Sequence, residues 1–383
     1  MSTSETQSPD LVVVGAGVIG LAAAREGARR GLRVTVLDRG EPGSGTTAVA
    51  AGMLAPVSEA AAGEDALLAL NLASAARYPA WVAALEAESG RDTGYHACGT
   101  LLVARDSDQA EALLRELALR ADLGLPVERL APSEARRREP ALAPSVRLAL
   151  SVPEDHAVEP RALIGALRAA VTRAGGEVRA GAEVTEALVA GGRVTGVRLA
   201  GGDTVRAGAV LVAAGPWSGE LGGLPADARL PVRPVKGQLL HLRDPAGPGL
   251  LERVLRTEEA YLVPRGDGRY VLGASVEERG WDTSITARPI FELLREAIAV
   301  VPGVAELELQ RALAGLRPGT PDNAPAIGPG ALPGLFWATG HHRHGVLLAP
   351  VTAELALDAV QGTGLGELGA PFLPARLAAE VAA

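Results

Sequence analysis

Cysteine, lysine and aromatic residues are scarce in this sequence, and long apolar runs are missing. The single cysteine, Cys98, cannot form a disulfide within the chain, which favours a reducing compartment. No apolar run approaches the roughly 20 residues that a membrane-spanning helix needs, so we expect no membrane segment. Residues 1–10 are polar and lack a basic stretch, so they do not predict a secretory signal. Together these absences predict a cytoplasmic protein.

The charge balance is acidic, and the basic residues are not clustered. The formal net charge is −8, and Lys236 is the only lysine among 37 basic residues. A nucleic-acid-binding surface is therefore disfavoured, because such a surface needs concentrated positive charge. The length of 383 residues, with 48% hydrophobic and 21% charged residues, predicts a globular protein of about two to three domain-sized units.

The clearest local pattern lies near the N-terminus. Leu11–Val14 predicts a buried strand, a helix and a second strand follow it, and Asp38 closes the second strand. Gly15, Gly17 and Gly20 have the spacing that permits a tight turn, close approach to a pyrophosphate and close helix packing. A carboxylate at Asp38 can bind ribose hydroxyls and argues against the 2′-phosphate of NADP. The pattern predicts an adenine-dinucleotide site but leaves NAD and FAD open.

Later segments favour FAD over NAD. Residues 45–53 offer small side chains and free N–H groups to a flat ring and to phosphates. Residues 209–215 predict a second buried strand that ends in glycine. Residues 340–348 predict a strand, a polar turn and a helix whose N-terminus can stabilise negative charge. Three separated nucleotide-type segments in one chain indicate the longer cofactor.

The order of predicted elements defines an α/β fold. We expect a Rossmann-like FAD-binding domain of the glutathione-reductase type, interrupted by a mostly antiparallel β substrate domain. Short alternating segments after Pro231 predict the antiparallel sheet. The predicted bounds are residues 1–80, 150–220 and 325–383 for the FAD-binding domain, and residues 81–149 and 221–324 for the substrate domain.

Six stretches, at residues 15–20, 46–56, 209–217, 261–265, 315–320 and 340–350, together resemble the D-amino-acid oxidase superfamily, and more narrowly its glycine oxidases of thiamine biosynthesis. The segments AAGMLAP, LPVRPVKGQ, YLVPR, GLRPGT and GHHRHGVLLAP carry the resemblance, in the same order over nearly the whole chain. The resemblance implies an FAD enzyme that oxidises glycine, sarcosine or D-alanine to an imine, with oxygen reduced to hydrogen peroxide. It also implies a role in supplying the imine for the thiamine thiazole and a homo-oligomer, a tetramer or a dimer.

The resemblance also assigns site residues. Arg317 would bind the substrate carboxylate, with help from Arg343, and Tyr261 would hydrogen-bond it; these are the predicted catalytic residues. FAD would be non-covalent, because residues 311–320 contain no cysteine and residues 46–56 contain no histidine. The predicted cofactor-binding residues are Gly15, Ala16, Gly17, Val18, Ile19, Gly20, Asp38, Arg39, Thr46, Thr47, Ala51, Gly52, Met53, Val184, Gly215, His342, Arg343, His344, Gly345, Val346 and Leu347.

Several positions keep a second interpretation. Arg317 could form a surface ion pair, and Tyr261 could be a packed sheet residue. Where better-known glycine oxidases carry a histidine and a methionine, this chain has Glu259 and Val276, so the substrate order stays open. Lys236 either assists oxygen chemistry or anchors a sheet edge. We expect no metal site, since the three histidines at 341, 342 and 344 have no carboxylate or cysteine at ligand spacing.

Three alternative functions remain at this stage. A dehydrogenase of the same fold would pass electrons to a carrier instead of oxygen. A flavin domain of a tRNA-modifying protein is disfavoured by the negative charge. A flavin-binding protein with a degenerate pocket would lack the activity altogether.

Overall fold

The computed structural model describes residues 8–380. Residues 1–7 and 381–383 lie outside the described residues. They include most of the N-terminal segment for which no secretory signal is expected, and both outer ends of the predicted FAD-binding domain. The helices are α1 (Val18–Arg29), α2 (Asp65–Ser89), α3 (Ser107–Asp122), α4 (Pro132–Arg138), α5 (Pro160–Arg173), α6 (Ala287–Val300), α7 (Ala349–Gln361) and α8 (Gly366–Gly369). The strands are β1 (Leu11–Val14), β2 (Val34–Leu37), β3 (Met53–Leu54), β4 (Thr100–Ala104), β5 (Glu128–Leu130), β6 (Leu148–Val152), β7 (His156–Ala157), β8 (Glu177–Arg179), β9 (Val184–Ala190), β10 (Arg193–Leu199), β11 (Thr204–Arg206), β12 (Ala209–Val212), β13 (Arg233–Arg243), β14 (Val254–Arg256), β15 (Tyr261–Pro264), β16 (Arg269–Gly273), β17 (Glu308–Gly319), β18 (Ala326–Pro329) and β19 (Leu335–Thr339).

One sheet has six strands in the order β18-β19-β12-β1-β2-β8, and all neighbours are parallel except β18 and β19. Its central strands are short, wholly apolar or nearly so, and buried on both faces, as a parallel sheet covered by helices requires. Helix α1 packs between α5 and α7 on one face, and α2 packs on α5 and α7. The predicted Rossmann-like unit is confirmed.

A second sheet has eight strands in the order β17-β13-β16-β15-β14-β4-β6-β5. Its pairs are antiparallel except β14 with β4. Helix α6 covers one face, where Leu293, Ala297 and Val300 join the buried core. The predicted α/β fold class, with its antiparallel second sheet, is therefore confirmed. Strands β9, β10 and β11 form a separate three-stranded sheet, and β3 pairs with β7.

Two of the predicted domain divisions cut continuous elements. The division at residues 80/81 falls inside α2, whose buried Leu70 and Leu85 belong to one core. The division at residues 149/150 falls inside β6. We propose that the first segment of the FAD-binding domain extends to Ser89 and that the first substrate-domain segment extends to Val152.

No helix between residues 8 and 380 is at once long and apolar enough to cross a bilayer.

Candidate active site

A cavity of about 890 Å³ lies at the carboxyl ends of β1, β2 and β12 and extends to the eight-stranded sheet. Ligand sites of open α/β sheets occur at this edge, because helix N-termini and turns meet there. The volume is at the upper end of what a single small ligand needs. It therefore suits a long cofactor together with a small substrate.

The nucleotide end of the cavity is built from the first βαβ unit. Gly15 has φ +103°, and a Cβ there would lie 2.5 Å from the carbonyl oxygen of Ala213. Helix α1 starts after Gly17, and its first residues, Val18 and Ile19, line the cavity, so the positive end of the helix dipole favours an anion there. The Arg39 guanidinium lies 3.7 Å over the Trp217 ring, which forms part of the wall.

Two of the predicted cofactor-binding residues, Ala16 and Gly20, do not line the cavity. Ala16 N–H donates to Asp38 Oδ2 at 2.7 Å, so it orients the carboxylate that is predicted to bind ribose. A Cβ on Gly20 would lie 1.9 Å from the carbonyl oxygen of Gly15, so this glycine lets α1 pack against the turn. Both residues shape the wall from behind it. The other predicted cofactor residues all line the cavity.

The middle of the cavity is formed by the 46–53 loop. Thr47 Oγ1 accepts a hydrogen bond from Val18 N–H at 3.2 Å, and Thr46 Oγ1 donates to the Leu316 carbonyl at 2.7 Å. The loop therefore bridges α1 and β17.

Arg265 fixes the far end of this loop. Its guanidinium is buried and donates to the Ala51 carbonyl at 2.6 Å and to the Val158 carbonyl at 2.9 Å. Glu159 Oε2 lies 3.3 Å from its Nε and balances the charge. Arg265 directly follows β15, which begins at Tyr261, so one strand and the residue after it contact both the substrate end of the cavity and the loop.

The turn before α7 closes the opposite wall. His342 N–H donates to the Pro318 carbonyl at 2.9 Å, and His341 Nε2 lies 3.0 Å from Thr352 Oγ1. Burial lowers the pKa of His341 to about 3, and burial with nearby positive charge lowers the pKa of His342 to about 4. These rings are neutral at pH 7. Within the described ranges, no group of three histidine, cysteine or acidic side chains could hold a metal ion.

Arg317 and Tyr261 lie together at the substrate end. Arg317 Nη1 donates to the carbonyls of Ser275 at 3.1 Å and Lys236 at 3.3 Å. Along the described chain, no carboxylate forms an ion pair with Arg317, so the alternative of a surface ion pair is not supported. Burial raises the pKa of Tyr261 to about 12, partly opposed by the Arg317 charge, so its hydroxyl is a proton donor at pH 7.

Two glycines, missed by sequence reasoning, make room for these side chains. A Cβ on Gly237 would lie 2.5 Å from both terminal nitrogens of Arg317. A Cβ on Gly273 would lie 2.6 Å from the Tyr261 hydroxyl. Both glycines lie inside strands, where a glycine often marks a close approach, and that signal could have found them.

The structure shows where Lys236, Glu259 and Val276 lie relative to the cavity. The side chain of Lys236 is buried outside the cavity, and its Nζ lies 2.8 Å from Asp282 Oδ2, so it anchors the segment between β16 and α6. Glu259 and Val276 line the cavity mouth, and both are solvent-exposed, Val276 by 68%.

The residues present fit FAD. The N-terminus of α1, whose first residues line the cavity, suits a pyrophosphate, and the Asp38 carboxylate at the end of β2 suits a ribose. A Cβ on Gly17 would meet only Thr47 Oγ1, at 3.4 Å, so the backbone is open to close approach. The wall beyond is made of the 46–53 loop and a turn with neutral histidines. The fold and the cavity thus define a dinucleotide-binding oxidoreductase.

Comparison with known proteins identifies the family. The family described as DAO, FAD dependent oxidoreductase, matches residues 10–359, and the chain belongs to it. Its cofactor is FAD, and its class is FAD-dependent oxidoreductase.

The relatives share nearly the whole of this chain. It is 37% identical over 372 residues to the bifunctional protein ThiO/ThiG of Synechocystis sp., covering 96% of this chain and 54% of that protein. The chain thus spans about half the length of the curated ThiO/ThiG relatives it matches. It is 36% identical to the glycine oxidase of Pseudomonas aeruginosa, with 96% and 99% coverage. The crystal structure of glycine oxidase from Geobacillus kaustophilus matches with a TM-score of 0.88, 33% identity, and 96% and 98% coverage.

Proposed function

We propose that this protein is an oxidase of glycine and other small amino acids or amines, such as sarcosine and D-alanine. The observation that carries the proposal is Arg317, a guanidinium at the substrate end of the cavity that has no ion pair among the described residues and lies beside a protonated Tyr261. A planar guanidinium can bind a carboxylate with two charge-assisted hydrogen bonds. Relatives named glycine oxidase support the same substrate class.

The reaction needs few groups from the protein. A primary amine loses two electrons and two protons and becomes an imine, which water converts to the 2-oxo acid and ammonia. Bound FAD would supply the acceptor for the two electrons, and oxygen, which would finally take them together with two protons, would leave as hydrogen peroxide. Arg317 and Tyr261 would orient the carboxylate so that the α-carbon faces the ring. Positioning of this kind accounts for much of the catalysis in such sites.

Arg343 is proposed as a weaker second contact to the carboxylate. It lines the cavity, but its Nε already lies 3.2 Å from Glu59 Oε2. The predicted cofactor residues that line the cavity are proposed to bind FAD without a covalent bond. Ala16 and Gly20 are proposed to support that binding from behind the wall.

The biological setting is proposed from the relatives. The names ThiO/ThiG among them support a supply of imine to thiamine thiazole synthesis. We further propose a cytoplasmic enzyme that assembles as a homotetramer or a homodimer.

The decisive experiment is the visible spectrum of the purified protein. A flavin spectrum that is bleached by anaerobic glycine, and restored by air with release of peroxide, is expected. Bleaching without peroxide on aeration would favour a dehydrogenase. Replacing Arg317 with leucine should leave the flavin bound and raise KM strongly, and an unchanged KM would remove Arg317 from the site.

A further inference from the structure

Glu59 is an unpredicted acidic side chain in the wall at the substrate end of the cavity. Its Oε2 lies 3.2 Å from Arg343 Nε and 3.8 Å from His344 Nδ1. The Glu59 side chain is 17% exposed and the Arg343 side chain 43%. One of the guanidinium groups that line the cavity is therefore already neutralised by the protein.

The segment that carries Glu59 is fixed by buried charged groups. The N–H groups of residues 57 and 58 donate to the Asp155 carboxylate at 3.0 and 2.7 Å. Arg120 donates to the carbonyls of the same two residues at 3.0 and 2.5 Å, and Arg256 also donates to the second carbonyl. Because the N–H and C=O groups of both residues are bonded to charged groups from three other parts of the chain, Glu59 is held in a defined position.

Glu59 carries a negative charge at neutral pH. Burial favours its neutral form, but the electrostatic influence of His344, and then of Arg343, Arg256 and Arg317, outweighs burial and lowers the pKa of Glu59. At pH 7 the arginines supply the positive charge, because burial lowers the pKa of His344 itself to about 4. Arg317 also contributes to lowering the pKa of Glu59, so Arg317 and Glu59 lie within electrostatic range of each other. Arg317 itself forms no ion pair within the described part of the chain.

We propose that Glu59 is a specificity-determining residue that restricts the site to amines with one carboxylate. The first carboxylate of a substrate binds Arg317. A second carboxylate would need Arg343, would leave Glu59 without its partner, and would bring two negative charges together. Glycine, sarcosine and D-alanine have no second carboxylate to place there. The inference rests on the proposed function for the location of the first carboxylate.

The matched substrates are sarcosine and iminodiacetate, which differ by a carboxylate on the N-methyl carbon. In the flavin-loaded enzyme, Glu59→Gln should raise the ratio of kcat/KM for iminodiacetate to that for sarcosine by about tenfold or more, because it frees Arg343. Adding Arg343→Met should abolish the gain. Glu59→Asp, which keeps the charge, should leave the ratio near that of the wild type.

Glu258→Gln is the matched control. Glu258 lines the same cavity, is exposed, and has no ion pair among the described side chains. The substitution removes the same charge without freeing an arginine. An equal gain in Glu258→Gln, or no gain in Glu59→Gln, overturns the proposal.

A binding measurement separates this inference from the proposed function. Calorimetric titration of the flavin-loaded protein with acetate and with malonate needs no turnover. A selective gain for malonate in Glu59→Gln supports the role of Glu59 even if neither amine is oxidised, an outcome that would refute the oxidase proposal alone. Oxidation of sarcosine by both proteins, with unchanged relative affinity for malonate, refutes the role of Glu59 and leaves the oxidase proposal standing.

Discussion

The substitution Gly237→Ala tests whether the position of Arg317 matters, without changing Arg317. The three atoms nearest to an added methyl group are Nη1 and Nη2 of Arg317, each at 2.5 Å, and Cζ at 2.7 Å. Real Cβ atoms do not approach this closely, so one group must move. The guanidinium is the end of a flexible side chain, whereas β13 is paired on both sides. We therefore expect the fold to persist and the guanidinium to be displaced.

The size of the effect follows from the bonds that would be lost. Two charge-assisted hydrogen bonds to a carboxylate, partly replaced by water, contribute about 2–4 kcal/mol. This range corresponds to a loss of roughly 30- to 1000-fold in kcat/KM for glycine. The assay is peroxide release at varied glycine, together with the melting temperature and the flavin content of each protein.

Gly165→Ala serves as the control. Gly165 lies in α5, and no atom outside its own helix backbone and chain neighbours lies within 4 Å of its added Cβ. This substitution should preserve kcat/KM and preserve or slightly raise stability, because alanine favours helix. If Gly237→Ala is folded, contains flavin and retains the kcat/KM of the wild type, the carboxylate does not bind where Arg317 now lies.

Three further predictions concern other parts of the site. Gly273→Ala should displace the Tyr261 ring, whose hydroxyl lies 2.6 Å from the added Cβ, and raise KM about tenfold with flavin still bound; an unchanged KM would refute a contact between Tyr261 and substrate. Arg265→Lys should weaken FAD binding to the apoprotein about tenfold in a flavin-fluorescence titration, because one ammonium cannot bond both carbonyls at once, whereas the exposed Arg269→Lys should not. Lowering the pH from about 6.5 toward 4 should lower the free energy of unfolding. In this range His342 takes up a proton in the unfolded chain, whereas in the folded protein its pKa of about 4 keeps it mostly neutral. Asparagine tolerates the φ of +45° at position 342, so the fold should persist in His342→Asn. In thermal melts between pH 4 and 7, this variant should lose less unfolding free energy on acidification than the wild type. An identical pH dependence would contradict the assignment.

The nucleotide end could be predicted from the sequence because its signals are local. Leu11–Val14, the glycine turn and Asp38 lie within 28 residues, and each signal has one physical meaning at that spacing. The glycine spacing predicted the packing role of Gly20, but no pattern could show that Ala16 N–H holds the Asp38 carboxylate from behind the cavity wall.

The substrate end depended on resemblance, because its parts come together only through the fold. Glu59 and Arg343 are far apart in the chain, and no pattern in the sequence marks them as a pair. In the sequence, Arg265 stands out only as the last residue of the YLVPR segment. Its partners are backbone carbonyls, which every residue has, so residue types alone cannot identify them. The predicted domain division at residues 80/81 falls inside α2 for a related reason: a helix can pass from one part of a fold to another without a break in its sequence.

Tyr261 begins strand β15 and Arg265 directly follows the strand, so the two side chains share one support. A change that tilts this strand to admit a bulkier amine also drags the carbonyl of Ala51, so substrate range and cofactor retention trade against each other there. The preceding turn is independent of that constraint, because Thr257 Oγ1 closes it locally with the N–H groups of Glu259 and Ala260. Efforts to widen the range of amines accepted are therefore best directed at this turn.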